Sequence, residues 1–191
     1  MACGISSRRP TSLKIALIVE GLSDKILFNE QRQWFSSKGV EIDIIVAGNK
    51  HTMITKALKF YKASIISGAT NIIFLPYQNG DQCALVTRGR MHADNLPGAT
   101  TLVIKRELEA WILADSNCIN CKLDPNYHTS GITDNLSNPK QILISMFQKK
   151  LGYTPTTVES VKMFADRFSI EQAAHANKSA KRLVDLIISL N

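Results

Sequence analysis

Four short apolar runs, spaced by helical patterns and turn residues, constrain this chain more than any other feature. They are Lys14–Glu20 (KIALIVE), Glu41–Ala47 (EIDIIVA), Asn71–Leu75 (NIIFL) and Thr101–Ile104. Runs this short and this apolar predict strands covered on both faces. Between them lie helical patterns. Ser23 or Asp24 can cap a helix with Ile26, Leu27, Trp34 and Phe35 as its apolar stripe, ended by Lys38-Gly39. Residues 51–66 place Met53, Ile54, Ala57, Leu58 and Tyr61 at helical spacing, and Gly68 stops them. Residues 81–93 form a third pattern, weakened by Gly89. Strands alternating with helices predict an α/β fold: a sheet of about four mainly parallel strands with helices on both faces.

The strand pattern stops after Asp115. Residues 118–138 are polar, contain Pro125 and Gly131, and predict a long loop. Helical patterns follow over 139–151, 157–168 and 179–190. The expected organisation is a flexible basic tail over 1–13, an α/β core over 14–116, and a loop plus helical extension over 117–191 packed on that core. No run approaches the ~18 apolar residues that span a bilayer. Residues 1–12 carry arginines with no apolar segment behind them, so they do not read as a secretory signal. The expected location is the cytoplasm, with no membrane partner.

The charge balance, 23 Lys+Arg against 16 Asp+Glu, gives +7. That permits contact with nucleic acid, but the excess is spread out and also suits a solvated helical surface. Cys3, Cys83, Cys118 and Cys121 make no disulfide framework for a cytosolic chain of this size. Cys118-Ile119-Asn120-Cys121 is a lone C-x-x-C. Zinc would need two further ligands, for which His128 and Cys83 are the candidates. A redox pair would head a helix after a strand, which this pair does not. Plain reduced thiols remain the simplest reading.

The C-terminal ends of parallel strands are where α/β proteins assemble their sites. Three such ends carry chemistry here. The first presents Glu20-Gly21 and Asp24, the third Tyr77, Gln78, Asn79 and Asp81, and the fourth Lys105, Arg106, Glu107 and Glu109. Carboxylates gathered from several strand ends suit Mg²⁺, which prefers hard oxygen ligands and assists phosphodiester cleavage. Glu20, Glu107 and Glu109 are the candidate catalytic groups. Glu20, Asp81 and Glu107 are the candidate metal ligands, and Lys105 or Arg106 would hold a phosphate. Each has a plainer reading beside it. Glu20 and Glu107 can serve helix N-termini with their charge. Asp81 can be an N-cap, Glu109 a solvated helix residue, and Trp111 a core residue rather than a stacking platform.

A strand followed by Glu20-Gly21-x-x-Asp24 and a helix resembles the opening motif of the Toprim fold, which topoisomerases, primases and the overcoming-lysogenization-defect (OLD) nucleases share. The block Arg106-Glu107-Leu108-Glu109-Ala110-Trp111-Ile112-Leu113-Ala114-Asp115 is more specific. It is similar to small bacterial Toprim-like proteins related to the OLD nucleases and often encoded beside ABC-type ATPases in defence-like gene clusters. The tail, from Pro139-Lys140 through Ser179-Ala180-Lys181-Arg182-Leu183, resembles the same group. The resemblance implies a Toprim-like sheet and a Mg²⁺- or Mn²⁺-dependent endonuclease or nickase. It implies nucleic acid as substrate and an ABC-type ATPase as partner. It assigns Glu20 to acid/base or metal work. It also exposes a departure. Where the family carries Asp-x-Asp after the third strand, this chain has Pro76-Tyr77-Gln78. A proline and a neutral amide cannot supply two negative charges, so the resemblance also admits a catalytically silent binding or regulatory subunit.

Overall fold

The computed structural model describes residues 13–190. The basic tail and Cys3 therefore lie outside the described residues, apart from Leu13. Four strands form one sheet: β1 (Leu13–Val19), β2 (Val40–Val46), β3 (Asn71–Leu75) and β4 (Ala99–Thr101). Their order is β2-β1-β3-β4 and every pairing is parallel. The expected α/β architecture is present, and the layout is consistent with a Toprim-like sheet. β4 begins two residues before the apolar run Thr101–Ile104 and shares only Thr101 with it. A single bridge, Tyr77 to Ile104, continues the β3–β4 pairing beyond it.

Alternation along β1 sends Ile15, Leu17 and Val19 to one apolar core and Ala16 and Ile18 to the other. The first core is closed by α1 (Leu22–Glu30) and α2 (Arg32–Ser37) through Leu27, Phe28 and Phe35. The second is closed by α3 (Lys50–Thr55), α4 (Ala57–Ile66) and α5 (Ala84–Met91) through Met53, Ala57 and Met91. The chain leaves β1 toward β2 over one face. It travels on to β3 and β4 over the other, as crossovers of a single hand require. Gly98 admits the chain to β4. Its φ is +71°, and a Cβ there would come within 2.9 Å of the Thr70 carbonyl oxygen.

The first predicted helix is divided at Gln31 and the second at Lys56. Gln31 has a packing role: its Nε2 donates to the Phe168 carbonyl at 2.8 Å and its Oε1 accepts from Ile170 N at 3.3 Å. Nothing in the structure explains the break at Lys56.

The C-terminal part is more helical than its composition suggested. After α6 (Glu109–Ala114) comes α7 (Ser116–Lys122), where the sequence predicted loop. Its N-cap is Asp115, whose carboxylate accepts from Cys118 N at 3.1 Å and also from Ser169 N at 2.8 Å. Three helices follow: α8 (Pro139–Leu151), α9 (Thr157–Ala165) and α11 (Lys178–Ser189). Between the last two lies α10 (Ile170–Ala176), capped by Ser169 and not anticipated. Phe147, Phe164, Ile170 and Leu183 join the same core as Leu17 and Trp111, so the extension shares the sheet's interior. Trp111 is fully buried and its Nε1 donates to Ser179 Oγ at 2.8 Å, which satisfies the polar edge a buried indole needs. Asn177 completes that link, donating to Thr133 Oγ1 at 2.9 Å and accepting from Ala180 N at 2.9 Å.

Candidate functional site

The chain leaves β1 in one direction across the sheet and β3 in the other, so the topological switch lies between these two strands. Open α/β sheets bind ligands at the C-terminal side of this point. A cleft of about 240 Å³ lies there, lined by Glu20, Gly21, Asp24, Tyr77, Glu107, Glu109 and Lys140 among others. Glu20 comes from the β1–α1 turn and Asp24 from the first turn of α1. Glu107 comes from the turn into α6, Glu109 opens that helix, and Lys140 lies in the first turn of α8.

Glu20 is tied across the switch. Its Oε1 accepts the Tyr77 backbone N–H at 2.7 Å. Asp24, 2% exposed, accepts Gly21 N at 2.7 Å on one oxygen and the Tyr77 hydroxyl on the other. Gly48, with φ +96°, closes the neighbouring β2–α3 turn and donates its N–H to the Glu20 carbonyl at 2.9 Å. The cleft wall is thus held by uncharged donors.

The electrostatics follow from that construction. Burial raises the carboxyl of Glu20 above its usual range; the Tyr77 N–H opposes this, and the charge of Asp24 adds to the rise. Burial also raises Asp24, against the pull of the Tyr77 hydroxyl and Gly21 N–H. Glu109, 6% exposed, is raised by burial and by the charges of Glu107 and Asp24, with Lys140 opposing. The Tyr77 hydroxyl is pushed well above the ordinary phenol range by burial and by Asp24, Glu109 and Glu20. Several carboxylates therefore share one desolvated space, a combination that marks functional sites more often than structural ones.

Asp81 stands apart. It does not line the cleft. Its carboxylate accepts from Thr87 Oγ1 at 2.7 Å, Lys50 Nζ at 3.1 Å and Arg90 Nη1 at 2.6 Å. The Thr87 hydroxyl, together with the Lys50 and Arg90 cations, pulls it down to about 2. It does not cap α5, whose N-cap is Cys83. Lys50 also donates to the Gln78 and Asn79 carbonyls. One ammonium thus fastens the loop after β3 to the start of α3.

Neither cation predicted to hold phosphate lines the cleft. Lys105 Nζ donates to Asn135 Oδ1 at 3.3 Å. Arg106 is exposed and adopts a left-handed backbone, φ +68°. A non-glycine residue there costs about 1 kcal/mol or more and is found where the surroundings impose it. Lys140 lines the cleft instead, and its backbone N donates to Glu107 Oε2 at 3.4 Å. Glu107 precedes α6 rather than sitting in its first turn.

The donor set of the cleft is hard oxygen without Cys or His, which suits Mg²⁺ or Mn²⁺ by chemistry. As the side chains stand, no three His, Cys, Asp or Glu residues form a metal-holding group among the described residues. The thiol pair supplies no alternative centre. Cys118 is buried in α7, its Sγ lies 3.6 Å from the Phe164 carbonyl, and burial pushes its thiol up, which disfavours the reactive thiolate. Cys121 is exposed on the same helix, and both are free thiols.

Glu20, Glu107 and Glu109 were legible from strand ends and motif. Lys140 was not: it lies in a helix whose own pattern gives no sign of what it faces. No protein-family model, no curated protein and no solved structure matches this chain. No helix among the described residues is long and apolar enough to cross a membrane.

Proposed function

We propose that this chain is a divergent, nuclease-like protein of the Toprim type that acts on phosphodiesters of nucleic acid in the cytoplasm, beside an ABC-type ATPase. The observation that supports it is the convergence of Glu20, Asp24, Glu107 and Glu109 on one cleft at the switch point. Folding alone has no use for four carboxylates there, because each raises the cost of ionising its neighbours. Glu20, Glu107 and Glu109 would hold Mg²⁺ or Mn²⁺, which when bound neutralises charge developing on a phosphate and activates water. The chain's own groups do the rest. Tyr77 orients Glu20 and Asp24 through its N–H and hydroxyl. Lys140 faces the anionic oxygens of the substrate.

A second reading is favoured by the loop after β3. Its single acid, Asp81, is engaged by Lys50 and Arg90, and Pro76-Tyr77-Gln78 supplies no other charge. In that reading the protein is a catalytically silent binding or regulatory subunit. Incubating pure protein with supercoiled plasmid and Mn²⁺ separates the two. The first predicts nicking that Glu20→Gln and Glu109→Gln abolish. No nicking by the wild type, alone or with the neighbouring ATPase, together with salt-sensitive DNA binding, supports the second.

A further inference from the structure

The two edges of the sheet are finished differently. At β2 the edge is blunted: Arg32 Nη1 donates to the Ile42 carbonyl at 2.6 Å. At β4 the protection is partial. Asp94, anchored by Arg88 Nε at 2.6 Å, accepts the outward N–H of Thr101 at 2.8 Å. One rung further, Val103 makes no backbone hydrogen bond among the described residues, although it is only 7% exposed. Beside it, the Thr101 hydroxyl is buried without a partner. Buried polar groups left unpaired are uncommon in folded proteins.

These groups border a groove of about 360 Å³. Its floor is residues 100–103, and its walls come from helices that cover opposite faces of the sheet. Leu85 and Arg88 of α5 stand on one side, Arg182 and Leu186 of α11 on the other. Leu85 is 75% exposed and leaves an apolar surface at the wall of the groove. Arg182 makes no ion pair among the described residues.

We propose that this groove is a docking site for an extended, acidic-and-apolar segment of a partner protein, which adds a strand to the β4 edge. The backbone of the segment would satisfy Val103, and the Thr101 hydroxyl would gain a polar partner. Side chains on one face of the segment would cover Leu85 and those on the other Leu186, as strand addition provides. A carboxylate would meet Arg182. A second copy of this chain is a poorer occupant, because a two-fold pairing of β4 edges would bring the Arg182 cation toward its own counterpart. This site is separate from the carboxylate cleft and does not depend on what the cleft does.

The test is selection of random linear peptides displayed on phage against the full chain, followed by fluorescence-anisotropy binding of the enriched sequences. The expected result is enrichment of alternating apolar residues with Asp or Glu. Binding should weaken about tenfold or more in Arg182→Glu and in Leu85→Asp, the loss of one substantial contact. Circular dichroism should show both variants folded. Enriched peptides that bind both variants as tightly as the wild type would overturn the proposal. So would failure to enrich any sequence. Concentration-dependent dimerisation in analytical ultracentrifugation that Leu85→Asp abolishes would assign the groove to a second copy and overturn it equally.

Discussion

α6 has a buried carboxylate at each end. Glu109 opens the helix at 6% exposure, and Asp115 follows its last residue at 1%. Burial pushes both above the usual carboxylate range. Their partners differ. Asp115 accepts the backbone N–H groups of Cys118 and Ser169, and so starts α7 and fixes the approach to α10. Glu109 has its own backbone N–H and the charge of Lys140, against the like charges of Glu107 and Asp24. One acid offsets its desolvation by organising the chain. The other is a cost to the fold that its own N–H and the Lys140 charge offset only in part, as expected for the proposed role in chemistry.

The largest expected effect lies on the structural side of this comparison. Asp115→Ala leaves two backbone donors unmet and removes a helix cap, so thermal or urea unfolding should show a loss of about 2–4 kcal/mol. Tyr77→Phe extends the comparison to a third buried acid, because it strips the hydroxyl donor from Asp24 on the cleft wall. A loss of about 1–3 kcal/mol is expected at neutral pH. The loss should shrink as pH falls and Asp24 takes up a proton. An unchanged stability would mean that Asp24 does not depend on Tyr77.

Glu109→Gln should act in the opposite direction. The folded protein keeps a proton on Glu109 at pH values where the unfolded chain has released it. Its contribution is therefore fully present below the ordinary glutamate range and is lost as pH rises through the raised value. The amide removes that loss, so stability should rise at neutral pH and change little at pH 4. Destabilisation at neutral pH would show that Glu109 has a structural partner after all. The smallest effect is local. Lys50→Met should let the Asp81 carboxyl rise from about 2 toward its ordinary value in a ¹³C NMR titration, and leave Glu109 where it was. Asp81 runs opposite in sign to Glu109: its contribution is present above the usual aspartate range and is lost as pH falls through about 2.

Much of the sheet was legible because strands buried on both faces announce themselves as unbroken apolar runs. β3 coincides with its run, and β1 and β2 differ from theirs by a residue or so at an end. Glu20 was legible for the same reason, as the first charge after such a run. What was hidden depends on long-range pairing. α7 and α10 are short and polar, and their caps, Asp115 and Ser169, are joined to each other only in three dimensions. Local signals for both were present in the residue types, an Asp or Ser three positions before the backbone N–H it accepts, but loop-like composition outweighed them. Asp81 has the residue type of a ligand. Only the positions of Lys50 and Arg90, 31 and 9 residues away, reveal that its charge is already engaged. Lys140 is the converse, an unremarkable helix residue that α8 delivers to the cleft.

The central claim is that Glu20 and Glu109 are desolvated together in a cleft open to a hard cation. A ¹³C NMR titration of side-chain-labelled glutamates, run with and without Mg²⁺, tests it most directly. Without the ion, both carboxyls should titrate above the ordinary glutamate range, and millimolar Mg²⁺ should shift both downward together. Ordinary titration of both, unmoved by Mg²⁺, would contradict the account.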